Sequence, residues 1–256
     1  MPADIRLIST DFDGTIHEDF AHAAIPHALQ DKLAELQSAG VCWVINTGRD
    51  LSSLMESLGR AHCRVQPDYV VTVEREIHQH IRGHYQAVEP WNTECTRDHL
   101  AIFTQHSAEL DALMASLEER FDANFYRDGW SPLCAIARSN SQMDAIQAEL
   151  ETFCAAVGEL VPVRNDVYVR LSHRRYSKGT ALQEIQRRLG LTAAQTVAAG
   201  DHLNDLPMLR RSVAEWLVTP ANGLPEVKAQ VTAEGGFLAS KKCGEGILEG
   251  LAHFGA

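Results

Sequence analysis

The chain has 256 residues, enough for one large domain or two smaller ones with a sizeable core. Its formal net charge of −11 excludes a duplex-binding surface, which needs a basic face, and gives an anionic substrate no long-range attraction. The six cysteines (Cys42, Cys63, Cys95, Cys134, Cys154, Cys243) include no Cys-x-x-Cys pair and read as core residues of a reducing compartment. No apolar run reaches membrane-spanning length and a strand begins almost at once, so neither a transmembrane helix nor a signal peptide is expected, and the cytoplasm is the expected location.

Ile5 to Ile8 is an apolar run that predicts a buried strand. Ile25, Leu29, Leu33 and Leu36 then recur at helical spacing, with Pro26 suited to a first turn and Gly40 to a stop. Val41 to Asn46 predicts a second strand. Leu51, Leu54 and Leu58 predict a helix closed by Gly59, and Tyr69 to Val73 a third strand. This alternation builds a parallel sheet.

From about Ile77 to Ser172 the pattern changes to strand pairs and two longer helices. One helix carries Leu100, Phe103, Leu110, Met114, Leu117 and Phe121; the other carries Met143, Ile146, Leu150, Phe153 and Val157. The extended segments are Asn124 to Arg127, Leu133 to Ala137, Leu160 to Val163 and Val167 to Leu171. From Ser177 the strand–helix alternation resumes: a helix through Ala181, Leu182, Ile185 and Leu189, a strand from Thr196 to Ala199, a short helix from Leu206 to Leu209 and a strand from Glu215 to Val218. The loop Pro220-Ala221-Asn222-Gly223 precedes a helix around Val227, and Ile247 to Phe254 predicts a last helix. The expected fold is α/β: a Rossmann-like, doubly wound parallel-sheet core from residues 1–80 and 175–256, with an inserted α+β cap domain at 81–174. The connections Ile81 to His84 and His173 to Tyr176 are its expected hinges.

Two segments at strand ends carry four aspartates: Asp11 and Asp13 after the first strand, Asp201 and Asp205 after the Thr196 strand. Ligands of parallel α/β sheets bind beyond the carboxyl ends of the strands, so neighbouring strands would bring these groups together. Like charges at close range need a counter-charge, and a hard divalent cation with oxygen ligands, Mg²⁺, supplies it.

Four segments in order resemble the motifs of the haloacid dehalogenase (HAD) superfamily: Asp11-Phe12-Asp13-Gly14-Thr15, Val44-Ile45-Asn46-Thr47-Gly48-Arg49, Ser177-Lys178-Gly179-Thr180, and Gly200-Asp201 through Asn204-Asp205-Leu206-Pro207. The cap position resembles the Cof-like and sucrose-phosphatase-like group, and Pro67 to Ile77 is closer to the sucrose-phosphatase-like branch. Glu74-Arg75-Glu76 stands where Cof-like members carry Asn-Gly, and His202 where a small or amide residue is usual.

The resemblance implies Asp11 as nucleophile and Asp13 as acid–base. Thr47 would be a hydroxyl donor to phosphate and Lys178 the neutralising cation. It further implies Gly14, Gly48, Arg49 and Asn204 as phosphate or substrate contacts. Mg²⁺ would be held by Asp11, the backbone carbonyl of Asp13, Asp201, and Asp205 as ligand or outer partner. Read as residues alone, Thr47 could instead cap the Leu51 helix and Asp205 the helix after it. Arg49 could form only a salt bridge, and Lys178 could be a surface lysine. In the cap, Arg127, Asp128 and Trp130 and the cluster His173-Arg174-Arg175 are candidate substrate groups or a solvated linker.

The expected activity is a Mg²⁺-dependent phosphatase of a small phosphorylated metabolite, a sugar phosphate, acting through an aspartyl-phosphate. A phosphomutase using the same intermediate and a non-catalytic scaffold are the alternatives. No nucleic-acid or membrane partner is expected, and the oligomeric state is open.

Overall fold

The computed structural model describes residues 4–256, which form two compact units: one up to Val88 and from Ser177 onward, the other Glu89–Tyr176. In chain order the elements are β1 (Leu7–Thr10), α1 (His27–Ser38), β2 (Cys42–Asn46), α2 (Leu51–Arg60), β3 (Tyr69–Thr72), β4 (Glu76–Ile81) and β5 (His84–Ala87). The second unit contributes α3 (Trp91–Gln105), α4 (Ser107–Arg120), β6 (Asn124–Tyr126), β7 (Cys134–Ile136), α5 (Asn140–Val157), β8 (Leu160–Asn165) and β9 (Tyr168–His173). The chain then continues through α6 (Lys178–Leu189), β10 (Thr196–Ala199), β11 (Trp216–Thr219), α7 (Pro225–Ala233), β12 (Phe237–Leu238) and α8 (Cys243–Phe254).

The first unit is an eight-stranded sheet in the order β12-β11-β10-β1-β2-β3-β4-β5. From β12 to β3 all pairs are parallel; β4 and β5 add an antiparallel edge. Every residue of β1, β3 and β10 is buried, as expected of parallel strands covered on both faces. Alternation sends Ile8, Trp43, Ile45, Val70, Val197 and Val218 into one cluster with Leu29 and Leu33 of α1, Leu54 of α2 and Ile247 and Leu251 of α8. Each such side chain contributes about 1.5–3 kcal/mol by leaving water. On the opposite parity, Ser9 and Asn46 meet Met208, and Asn46 Nδ2 also donates to the Lys178 carbonyl at 3.0 Å.

The register fixes the site. Thr10, the last residue of β1, lies level with Ala199 of β10 and Ile45 of β2. The loops carrying Asp11, Thr47 and Asp201 therefore leave one edge of the sheet side by side.

The second unit is a four-stranded antiparallel sheet, β6-β7-β9-β8, with a core of Ile102, Leu110, Leu117, Leu133, Met143, Ile146, Leu150, Leu160, Val169 and Leu171. Three readings from the sequence change. The Leu100 to Phe121 stripe is two helices, broken at His106 (φ −110°), and Leu100 is 61% exposed. Gln105-His106-Ser107 contains no strong helix former apart from Gln, and Ser107 suits a helix start. The β4–β5 hairpin pairs with β3, so the units divide at Val88/Glu89 and Tyr176/Ser177 instead of near residues 81 and 174. Leu206 to Leu209 forms turns after a short 3₁₀ segment, Leu203–Asp205, where a helix was expected. Among the described residues no helix is long and apolar enough to cross a membrane.

Candidate active site

Asp11 leaves β1 with its amide bonded to the Ala199 carbonyl (2.9 Å), which ties the Asp11 loop to β10. Phe12 is fully buried in the core, so Asp11 and Asp13 point away from it. The chain then turns sharply, with Ile16 and His17 amides both donating to the Phe12 carbonyl. Gly14 has φ +75°, and a Cβ there would collide with Asp201 Oδ2, so only glycine fits. Thr15 Oγ1 donates to Asp201 Oδ1 (2.9 Å), joining the two acidic loops.

Ser177 caps α6, its Oγ accepting from the Thr180 amide, so Lys178 occupies a rigid first turn. The Lys178 ammonium is completely buried and donates to Asp11 Oδ1 (2.7 Å) and Asp205 Oδ1 (2.6 Å). Burial alone would depress its pKa. The fields of Asp11 and Asp205 outweigh burial and hold the lysine charged, above its usual range. The surface-lysine alternative falls away.

Asp205 Oδ2 accepts from the Asp201 and His202 amides, both at 2.9 Å, so this carboxylate fastens its own loop as well as Lys178. Gly200 makes the fastening possible, since a Cβ there would lie 2.5 Å from Asp205 Cβ. His202 accepts the Leu203 amide through Nδ1 (2.9 Å) and braces the 3₁₀ turn.

Asp11, Asp201 and Asp205 offer oxygens that all lie within 4.8 Å of one another. An all-carboxylate set of this kind suits a hard divalent cation such as Mg²⁺. Its protonation points the same way: burial, then the neighbouring carboxylates, push Asp201 up to about 7. Burial likewise raises Asp11 well above the ordinary carboxylate range despite the Lys178 ammonium. Such groups need added positive charge to ionise together. The Asp13 carboxylate stands outside this trio. Arg49 grips it with Nε–Oδ2 and Nη2–Oδ1 bonds of 2.7 Å each, while Nη1 reaches Ser53 and Ser57.

Thr47 is 1% exposed, and its Oγ1 accepts from the Arg49 amide (3.2 Å), leaving its own hydrogen to donate. It does not cap α2; Asp50 does, accepting from Ser53 N.

A family model for sucrose-6F-phosphate phosphohydrolase matches residues 5–255. The chain belongs to that family. It is therefore a HAD-superfamily phosphatase, a phosphoric monoester hydrolase of small phosphorylated compounds. The crystal structure of the sucrose-phosphatase of Synechocystis sp. PCC6803, in complex with sucrose and phosphate, superposes with a TM-score of 0.77 at 21% identity over 99% of this chain and 98% of that one. The mannosylfructose-phosphate phosphatase of Agrobacterium fabrum is 24% identical over 98% of this chain and 97% of its own. The HMP-PP phosphatase of Yersinia pseudotuberculosis is 26% identical over 88% and 87%.

In this family member three groups make contacts that the sequence did not announce. Asn222 Nδ2 donates to the Gly14 carbonyl (2.7 Å) and to Asp201 Oδ2 (3.3 Å), while its Oδ1 accepts from the Cys243 amide (2.8 Å). Its signal was the Pro220–Gly223 loop leaving another core strand. Asn46 holds the Lys178 carbonyl from below. Glu74, 7% exposed, accepts from Asn204 Nδ2 at 2.9 Å. The candidates of the inserted unit are engaged locally. Arg127 pairs with Asp111 (2.6 Å), Asp128 Oδ1 accepts from Trp130 N and Ser131 N (2.7 Å each), and Arg175 pairs with Asp98 (3.2 Å) and Glu94 (3.5 Å).

Proposed function

We propose that the chain hydrolyses a sugar phosphate with Mg²⁺ through an aspartyl-phosphate on Asp11. The buried Lys178 ammonium, held between Asp11 and Asp205 and beside Asp201, carries the reading. It is a preformed positive centre inside a carboxylate cluster, and phosphoryl transfer is chiefly positioning and charge stabilisation. The sugar is supported by the family's name and by the relatives that act on disaccharide phosphates.

Lys178 occupies Asp11 Oδ1, which leaves Oδ2 to attack phosphorus as the bond to the sugar oxygen breaks. Asp13 gives a proton to that oxygen. It then takes one from the water that attacks the aspartyl-phosphate, so that the P–O bond to Asp11 breaks and phosphate leaves. Arg49 holds both Asp13 oxygens in the resting site, so Asp13 gives up one of these bonds when it carries the proton and regains it after each transfer. Thr47 Oγ1, the Gly48 amide, Asn204 and Lys178 receive the phosphoryl oxygens, and Gly14 lets its loop turn beside them. Asp11, Asp201 and the Asp13 carbonyl would hold Mg²⁺, with Asp205 orienting them from behind. When bound, the ion would neutralise charge on the phosphoryl oxygens.

The test is phosphate release from a panel of sugar phosphates and an aryl phosphate, with Mg²⁺ and with chelator, for the native protein and Asp11→Asn. Metal-dependent release lost in the variant supports the reading. Isomerised sugar phosphate without release would replace it with a mutase.

A further inference from the structure

The steps above make no use of Glu74, yet its place is constrained from three sides. Its backbone has φ 68°, and Val73 before it has φ 43°, a left-handed conformation that β-branched residues rarely adopt. Strain of this kind is kept only where the surroundings enforce it. Here the Val73 amide donates to the Arg49 carbonyl and the Glu74 amide to the Thr47 carbonyl, each at 2.9 Å, locking the turn onto the Thr47-Gly48-Arg49 loop. The side chain is buried, and its Oε1 accepts from Asn204 Nδ2. The same oxygen lies 3.2 Å from where a Cβ on Gly48 would stand. Its charge is also felt by Lys178, after those of Asp11 and Asp205.

Glu74 thus places a fixed carboxylate beside Gly48 and in contact with Asn204, two of the four groups assigned above to the phosphoryl oxygens. We infer that Glu74 limits the affinity of the phosphate subsite, sharing its donors with the phosphoryl group and opposing retention of the product phosphate. The inference rests on the proposed placement of the phosphoryl group. Its physical basis is simple. A site charged to stabilise a transferring phosphoryl group also holds inorganic phosphate, and binding common to ground and transition states does not raise turnover. A like charge fixed beside the groups that receive the phosphate weakens that common binding.

The experiment is calorimetric binding of inorganic phosphate, with Mg²⁺ present, to the native protein, Glu74→Gln, Glu74→Ala and Glu76→Gln. Glu74→Gln keeps an oxygen for Asn204 and removes the charge, so phosphate should bind about tenfold tighter. KM should fall with it and kcat should not rise. Glu74→Ala should also bind phosphate more tightly than the native protein, whereas Glu76→Gln, the same charge change two residues along, should not. Unchanged or weaker binding in both Glu74 variants would overturn the inference, as would equal tightening in Glu76→Gln. Phosphate binding needs no turnover. A native protein that binds phosphate but hydrolyses no phosphomonoester would defeat the hydrolase reading and leave this comparison intact.

Discussion

Lys178 shows how much of the site rests on one charge. Its ammonium is fully buried, and the two carboxylates it touches are themselves buried. Removing one partner of such a network leaves buried charge uncompensated, at a cost of about 3–5 kcal/mol. Lys178→Met should therefore lower stability to urea by about that amount and reduce kcat/KM at least about a thousandfold. Urea titration and steady-state kinetics check both. Asn222 offers a subtler test, because it touches Asp201 and the Gly14 carbonyl but is assigned no contact with substrate. Asn222→Ala should weaken Mg²⁺ binding about tenfold, as loss of a metal-orienting partner does, with kcat at saturating Mg²⁺ falling less. A titration of activity against Mg²⁺ separates the two effects.

At the scale of elements, the site is a set of loops held level by strand register and by two tight approaches. Gly14→Ala meets both a positive φ and the Asp201 carboxylate, so it should cost Mg²⁺ affinity well beyond Asn222→Ala. Ser177→Ala removes the α6 cap and should cost about 1 kcal/mol of stability, with a few-fold fall in kcat as Lys178 loosens. Thermal unfolding and kinetics on the same preparation read both changes.

This scale also shows what was legible in the chain. The Asp11 and Asp201 segments stood out as aspartates placed where apolar strand runs stop, and Thr47 and Lys178 through the resemblance of their segments to HAD motifs. The contacts of Glu74 with Asn204 and of Asn222 with Asp201 could not be read there, because they depend on which loops become neighbours, and no local pattern states that. The β4–β5 hairpin was misassigned for the same reason: alternation announces a strand but not the sheet it joins. The break at His106 was hidden by an apolar stripe that continues through it at helical spacing.

For the whole molecule, charge and protons set the conditions of activity. The net charge of −11 repels a phosphate dianion at long range, while Lys178 attracts it only at contact. Raising ionic strength from about 0.02 to about 0.15 M should thus raise kcat/KM modestly, the reverse of an enzyme that steers its anion in. Stability should depend on metal and pH together. Without metal, burial and then Asp205 raise Asp201 to about 7, above its unfolded value, so the folded state holds the extra proton. That contribution is fully present below the ordinary carboxylate pKa and is lost as pH rises towards about 7. Mg²⁺ needs the ionised form and displaces the proton, so its stabilising effect should grow over the same range. The gain in melting temperature on adding Mg²⁺ should be larger at pH about 8 than at pH about 5. A gain that shrinks with pH would contradict this account of the carboxylate cluster.

The central claim is that Asp11 carries the phosphoryl group. A rapid acid quench of the protein turning over a phosphate-labelled sugar phosphate, followed by borohydride reduction and peptide mass spectrometry, tests it directly. The account predicts a metal-dependent acyl-phosphate at Asp11 and none in Asp11→Asn, which should have lost at least about a thousandfold in turnover. A label on another residue, or near-native turnover in Asp11→Asn, would contradict it.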